Sequence, residues 1–116
     1  MIKGIDHIEL IVRDLDEYVS FLKTLGFETV RETPHHGGSV EMKPPGEGQP
    51  VFEIHQVIGE EVIGVNHIAF KVDDVNAAHA ALKDYPGMVS SAPGHVKDTG
   101  RTNLNLRDPD GWRLQL

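Results

Sequence analysis

Two segments rich in β-branched and other apolar residues, at 7–12 and 67–72, each begin with a histidine. Their composition and length predict a strand at each place. Side chains alternate between the two faces of a strand, so His7, Glu9 and Ile11 should share one face. Ile8, Leu10 and Val12 alternate with them and should then face the opposite side, toward a core.

Helical periodicity follows each of these strands. Asp14 and Asp74 are good N-cap residues, and Gly26 and Pro86-Gly87 are typical of helix ends. Between these signals, apolar residues recur at intervals of three and four and predict one buried face per helix. The predicted buried residues are Leu15, Tyr18, Val19, Leu22 and Leu25 in the first helix, and Val75, Ala78 and Leu82 in the second.

Short strands separated by turn residues are predicted after each helix. They cover Phe27–Arg31, Ser39–Met42, Val51–Val57, Met88–Ser90, Thr102–Leu106 and Trp112–Leu116. Asp108-Pro109-Asp110-Gly111 has the composition of a type I turn, with proline in second place.

The chain contains an internal repeat with an offset of 60 residues. Seven identities fall in one ungapped register, at 4/64, 7/67, 8/68, 12/72, 14/74, 22/82 and 23/83. Each half has the predicted order βαβββ, so the fold class is α+β with tandem βαβββ modules. We expect a single domain over 1–116, made of a first module at 1–57, a linker at 58–63 and a second module at 64–116.

Composition excludes several kinds of site. The chain of 116 residues has no cysteine, which rules out a disulfide scaffold, a thiolate zinc site and a cysteine nucleophile. Eleven basic residues against 18 acidic ones give a formal charge of −7, which argues against nucleic acid as a partner. No segment resembles a membrane span or a signal peptide. We therefore expect a cytoplasmic protein that acts on a small-molecule substrate.

The repeat also pairs residues that can bind a metal ion. His7 corresponds to His67, and Glu53 corresponds to Gln115 because residues 52–54 align with 114–116 at an offset of 62. A pseudo-twofold axis would bring the four side chains together. Two imidazoles, one carboxylate and one amide oxygen suit one divalent ion, for example nickel, zinc, iron, cobalt or manganese.

Other histidines and cations are weaker candidates. His55 is the main rival of Glu53, since it lies two residues away on the same face; we interpret it as a pocket residue or a partner of a ligand. Lys97 and Arg101 could meet an anionic substrate or serve equally well as surface residues. His35, His36, His79 and His95 are predicted to be solvated, although the first two, beside Gly37-Gly38, could form a mobile lid.

These motifs resemble the vicinal oxygen chelate superfamily, which includes glyoxalase I, methylmalonyl-CoA epimerase, extradiol dioxygenases, fosfomycin-resistance transferases and bleomycin-resistance proteins. The segments that carry the resemblance are Asp6-His7-Ile8-Glu9-Leu10, Gly26-Phe27, Phe52-Glu53-Ile54, Asn66-His67-Ile68-Ala69-Phe70 and Asp108-Pro109-Asp110-Gly111-Trp112. The resemblance implies an eight-stranded, cup-shaped mixed sheet with two flanking helices, often completed across a homodimer interface. Carried over position by position, it implies the metal ligands His7, Glu53, His67 and Gln115.

The resemblance implies a metal-dependent enzyme of the glyoxalase type, a lyase or isomerase that chelates two adjacent substrate oxygens and stabilises an enolate-like intermediate. Bacterial glyoxalase I has a carboxylate where this chain has Gln115, which leaves Glu53 as the predicted catalytic base, with His55 as the alternative. Two other readings remain open. One is an iron dioxygenase that uses His7, His67 and Glu53, and the other is a metal-free binding protein of the bleomycin-resistance type.

Overall fold

The computed structural model describes all 116 residues. It contains two helices, nine strands and one 3₁₀ turn at His35–Gly37. The helices are α1 (Leu15–Thr24) and α2 (Val75–Leu82). The strands are β1 (Ile2–Val12), β2 (Glu28–Thr33), β3 (Ser39–Lys43), β4 (Val51–Gln56), β5 (Gly64–Val72), β6 (Gly94–Val96), β7 (Arg101–Asn103), β8 (Asn105–Arg107) and β9 (Arg113–Gln115).

Seven strands, rather than the eight that the resemblance implies, belong to a mixed sheet, and β6 and β7 form a small antiparallel sheet. The α+β class with two helices is confirmed. The chain divides into two compact units, residues 7–66 and residues 1–6 with 67–116. In the first unit the strand order is β2-β3-β4-β1, with β1 and β4 parallel. In the second the order is β5-β9-β8, with β5 and β9 parallel. The module boundaries at 57 and 64 stay a prediction.

Helix α1 covers the apolar face of its sheet. The Asp14 carboxylate accepts a hydrogen bond from the Glu17 N–H at 3.0 Å, as the N-cap prediction required. Leu22 is buried against a core of Leu10, Val12, Met42 and Ile54. Leu25, however, is 56% exposed, because it is the residue at which the helix ends and its side chain leaves the buried face.

Helix α2 repeats this arrangement in the other unit. Asp74 accepts hydrogen bonds from the N–H groups of Asn76 and Ala77, and Ala78 is buried against a core of Leu104, Leu106 and Leu116. Val75 and Leu82 pack on the same core, as the periodicity predicts. The two helices thus occupy corresponding places in the two halves of the repeat.

The last third of the chain differs from the predicted strands. In place of a strand at 88–90, Val89 forms an isolated bridge to Leu106. The predicted strand at 102–106 is divided at Leu104, whose backbone N–H and C=O both pair with Leu116 at 2.9 Å. This switch of pairing partner ends β7 and starts β8. Strand β6 was not predicted, because its three residues are too few to show an alternation of apolar and polar side chains.

Neither helix has the length and apolar composition that crossing a membrane requires.

Candidate functional site

One face of the sheet in residues 7–66 is polar and buried. In the register of β1, β4 and β3, Glu9 pairs with Glu53 and Glu53 pairs with Glu41. All three glutamates are 2–4% exposed. Buried like charges on neighbouring strands destabilise a fold unless cations or hydrogen-bond donors compensate them. The groups that lie near each carboxylate therefore indicate which of the three could bind a further cation.

Glu41 is compensated by an arginine. Both Nε and Nη2 of Arg31, on the neighbouring β2, lie 2.9 Å from Oε2 of Glu41. This contact is an ion pair reinforced by hydrogen bonds, and it leaves Glu41 little capacity for another cation.

Glu53 lies between two imidazoles. Its Oε2 is 4.0 Å from Nε2 of His7, and its Oε1 is 3.9 Å from Nε2 of His35. These separations exceed a hydrogen bond and lie between those of adjacent and opposite ligands around one ion. Ligand atoms about 2.1 Å from a metal lie from about 3.0 Å apart when adjacent to about 4.2 Å apart when opposite.

Glu9 faces two other imidazoles. Its Oε1 is 3.0 Å from Nε2 of His36 and 3.3 Å from Nδ1 of His55. Burial lowers the pKa of the His36 imidazole below its ordinary value of 6.5, and this outweighs the opposite effect of the Glu9 carboxylate. Near neutral pH His36 therefore keeps a lone pair available for a cation.

His55 is fully buried and held from its other side. Its Nε2 lies 3.1 and 3.2 Å from the two carboxylate oxygens of Glu61, and the N–H of Ile58 donates to the same carboxylate at 2.8 Å. Desolvation raises the pKa of Glu61, but the hydrogen bonds from Ile58 and His55 outweigh it and leave that pKa below 4.5. His55 is therefore fixed between two carboxylates, which supports its interpretation as a partner of other site residues.

The unit made of residues 1–6 and 67–116 carries the repeat-related residues. Ala69 pairs with Gln115 in the register of β5 and β9, as Glu9 pairs with Glu53 in the other unit. His67 is 6% exposed, and strand alternation puts it on the same face as Ala69. The Gln115 amide donates to Oδ1 of Asn105 at 2.9 Å, while its Oε1 is buried and has no hydrogen-bond partner. A buried acceptor of this kind is suited to a cation.

The structure thus brings His7 and Glu53 together, and it places His67 and Gln115 on one face of neighbouring strands. The assignment of all four residues to one ion stays a prediction. Gln115 is suited to a metal ion because its side-chain oxygen is buried without a hydrogen-bond partner. His7, Glu53 and His67 are suited to one because they are buried residues of types that commonly bind metals.

Two histidines predicted to be solvated lie beside buried carboxylates. His35 is only partly exposed, at 24% of its side chain, and lies near Glu53, whereas His36 is exposed as predicted and nevertheless contacts Glu9. The 3₁₀ turn folds them back over β4, a consequence of the β2–β3 hairpin that the local sequence does not reveal. His95 is exposed as expected, and His79 is half-buried. Nε of Arg101 donates to Asp6 at 3.0 Å, so it is engaged in an ion pair.

Sequence reasoning also missed Glu9 and Glu61 as site residues. Glu9 could have been found, because strand alternation already put it on the face of His7. Glu61 could not, since it lies in the predicted linker and reaches His55 only through the path of the loop after β4.

The model of the Glyoxalase/Bleomycin resistance protein/Dioxygenase superfamily matches residues 4–116 of this chain. Among curated proteins, the chain is 30% identical over 120 residues to a probable lactoylglutathione lyase of Vibrio cholerae, covering 95% of this chain and 86% of that protein. It is 28% identical to the lactoylglutathione lyase of Haemophilus influenzae, over 95% of this chain and 88% of that protein.

Solved structures agree on the fold. A methylmalonyl-CoA epimerase in complex with methylmalonyl-CoA and NH4+ superposes with a TM-score of 0.83 at 24% identity, over 100% of this chain and 94% of that one. The methylmalonyl-CoA epimerase of Mycobacterium tuberculosis gives a TM-score of 0.84 at 17% identity, over 99% and 87%. At these identities the likeness establishes the shared fold.

Proposed function

Because the chain belongs to the glyoxalase/bleomycin resistance protein/dioxygenase superfamily, the vicinal oxygen chelate group, we propose that it is a divalent-metal-dependent lyase or isomerase acting on a small molecule. The observation that carries this proposal is the matched register of the two units. Glu53 and Gln115 occupy equivalent strand positions. On the neighbouring strand, each lies opposite a residue that follows a buried histidine, His7 or His67, by two positions. A pattern that repeats buried ligand-type residues in this way is hard to explain by packing alone.

In the proposed site, His7, Glu53, His67 and Gln115 hold one divalent ion, with Gln115 as the weaker ligand through its free Oε1. When bound, the ion would act as a Lewis acid toward two adjacent substrate oxygens. The ligand set leaves nickel, zinc, iron, cobalt and manganese as candidates.

Glu53 is the proposed general base. Its side chain is shielded from water, with 4% of the residue exposed. A carboxylate in such a position can remove a proton from a substrate carbon when the substrate lies within hydrogen-bonding reach. His35 lies 3.9 Å from Oε1 of Glu53 and its side chain is 24% exposed, so this imidazole lies between the carboxylate and solvent. Gln115 has no titratable group. Proton transfer should therefore occur from one side, which favours a stereoselective lyase or isomerase step over a two-base racemisation.

Two substrate classes follow from the relatives. Proteins named lactoylglutathione lyase suggest thiol adducts of 2-oxoaldehydes, and proteins named methylmalonyl-CoA epimerase suggest acyl-CoA thioesters. Both offer two oxygens that one ion can chelate and an acidic carbon-bound hydrogen. The cytoplasmic location and the homodimer remain predictions from the sequence.

Metal content tests the proposal directly. Purified protein should bind one ion that depends on His67, and His67→Ala should lose it, whereas the exposed His95→Asn should keep it. The loaded wild type is then assayed with thiol adducts of 2-oxoaldehydes, acyl-CoA thioesters and catechols. Retention of this ion by His67→Ala would show that the ligand set is wrong. Iron with catechol cleavage would instead identify a dioxygenase, and no metal at all would favour the bleomycin-resistance type of binding protein.

A further inference from the structure

Three ligand-type side chains that the proposed function does not use meet beneath the 3₁₀ turn. They are Glu9 on β1, His36 in the turn and His55 on β4. One ligand atom from each lies within 4.8 Å of the other two. Glu9 and His55 are 3% and 0% exposed, whereas the side chain of His36 is 35% exposed. The cluster is thus closed on the sheet side and accessible from the turn.

The distances match those between ligands of one metal ion. Two ligand atoms about 2.0–2.1 Å from a tetrahedral ion lie about 3.3 Å apart, and adjacent ligands of an octahedral ion lie about 3.0 Å apart. Oε1 of Glu9 is 3.0 Å from Nε2 of His36 and 3.3 Å from Nδ1 of His55. These contacts are closer to the expected values than the 4.0 Å between His7 and Glu53.

The hydrogen bonding of His55 is that of a metal ligand. A ligating imidazole usually donates its other N–H to a carboxylate, which fixes the ring and the tautomer. Nε2 of His55 has this contact, at 3.1 Å from Glu61. A proton on Nε2 leaves a lone pair on Nδ1, which is buried, makes no hydrogen bond and lies 3.3 Å from Oε1 of Glu9. A cation at this place would satisfy that nitrogen.

The backbone of His36 is unusual in a way that a site would explain. His36 has a φ of 53°, and no other non-glycine residue of the structure has a positive φ. Left-handed conformations are uncommon for residues with a side chain and are retained where the surroundings require them. Here the conformation places Nε2 of His36 at 3.0 Å from Oε1 of Glu9, while the ring stacks on that of His55 with 4.4 Å between ring centres.

The second unit has no counterpart of this cluster. Ala69 stands at the repeat position of Glu9, so the cluster is specific to residues 7–66 and is not a by-product of the duplication. We propose that Glu9, His36 and His55 bind a second divalent ion of the borderline class, such as zinc or cobalt, in addition to the ion of the proposed active site. Two imidazoles and one carboxylate, with open positions left, suit such ions.

Calorimetric titration of chelator-treated wild-type protein with Zn2+, repeated with Co2+, tests this inference. We expect two equivalents per chain. His36→Asn should remove one, since asparagine tolerates the left-handed backbone but cannot replace the imidazole, and His95→Asn should keep both. Glu61→Gln should weaken the same site about 10–100-fold, because it alters the hydrogen bond to a ligand. Circular dichroism establishes that each variant is folded.

The outcomes separate this inference from the proposed function. His67→Ala should lose the other equivalent and keep the one that depends on His36. A wild type with one equivalent that survives His36→Asn would overturn the second site and leave the proposed function intact. One equivalent that survives His67→Ala but not His36→Asn would support the second site and overturn the proposed ligand set.

Discussion

A carboxylate at position 53 and an amide at position 115 occupy equivalent strand positions with different chemistry. Glu53 faces two imidazoles, whereas Gln115 uses its N–H on Asn105 and keeps its oxygen unsatisfied. The amide can bind a cation but cannot take a proton. In the proposed site, the difference between the two residues would therefore determine which side can carry out acid–base chemistry.

Glu53→Gln should retain most of the metal and lose activity by roughly 10²–10⁴-fold, the usual contribution of a general base. The measurement is kcat on the substrate that the screen identifies, with metal content determined on the same sample. Normal turnover by the metal-loaded variant would show that the base lies elsewhere.

Gln115→Glu should at least preserve activity toward thiol adducts of 2-oxoaldehydes, because it supplies a second carboxylate at the position equivalent to Glu53. Metal affinity should rise, since a charged oxygen replaces a neutral one. Turnover assays and metal titration of wild type and variant measure both effects. Weaker metal binding by the variant would argue against ligation through position 115.

At the scale of elements, the loop after β4 holds the buried His55 in place. Glu61 joins this loop to the strand through its contacts with His55 and with the N–H of Ile58. The loop therefore contributes to stability through one carboxylate, and the ionisation of that carboxylate should be visible in the pH dependence of unfolding.

In the presence of a chelator, Glu61→Gln should lower the free energy of unfolding by about 1 kcal/mol at neutral pH, or Tm by roughly 4 °C. The pKa of Glu61 is lower in the folded protein than its ordinary 4.5, so its contribution is fully present above that pH. The contribution is lost as pH falls through the folded pKa. The Tm difference between wild type and variant should therefore be constant near neutrality and close in acid; a constant difference down to pH 3 would contradict this explanation.

Much of the fold could be predicted from sequence because the two helices and their first strands carry strong local signals. The caps at Asp14 and Asp74 and the apolar periodicity after them depend on residues three or four positions apart. The strand break at Leu104 could not be predicted, because it depends on pairing with Leu116. Likewise, the repeat identified His7 and Glu53, but the approach of His36 to Glu9 depends on a hairpin and a left-handed backbone.

At the scale of the whole molecule, metal binding should be coupled to stability. Ligands that bind only the folded state stabilise it, by about 2.7 kcal/mol at a concentration 100 times the dissociation constant. Removing metal with a chelator should thus lower Tm by roughly 10 °C, and adding back Zn2+ or Ni2+ should restore it. A Tm that is insensitive to both treatments would contradict metal binding by the folded chain.

A homodimer is expected at micromolar concentration, as the sequence predicts. Several large apolar side chains are exposed in the single chain, among them Phe21 at 52%, Val62 at 81% and Trp112 at 62%. Contact with a second copy would remove such surface from water. Sedimentation velocity measures the mass directly, and a monomer at this concentration would refute the dimer but not the fold.

The row of buried glutamates on β1, β4 and β3 bears on the abundance of the protein in a cell. Of the three, Glu41 has a guanidinium beside it, while Glu9 and Glu53 face the imidazoles of the two proposed metal sites. A newly made chain would then reach its full stability only after metal is supplied, and unfolded chains are removed by proteases. Its abundance should fall when the cell is starved of that metal, even with unchanged synthesis, so the level of the protein would report on metal supply.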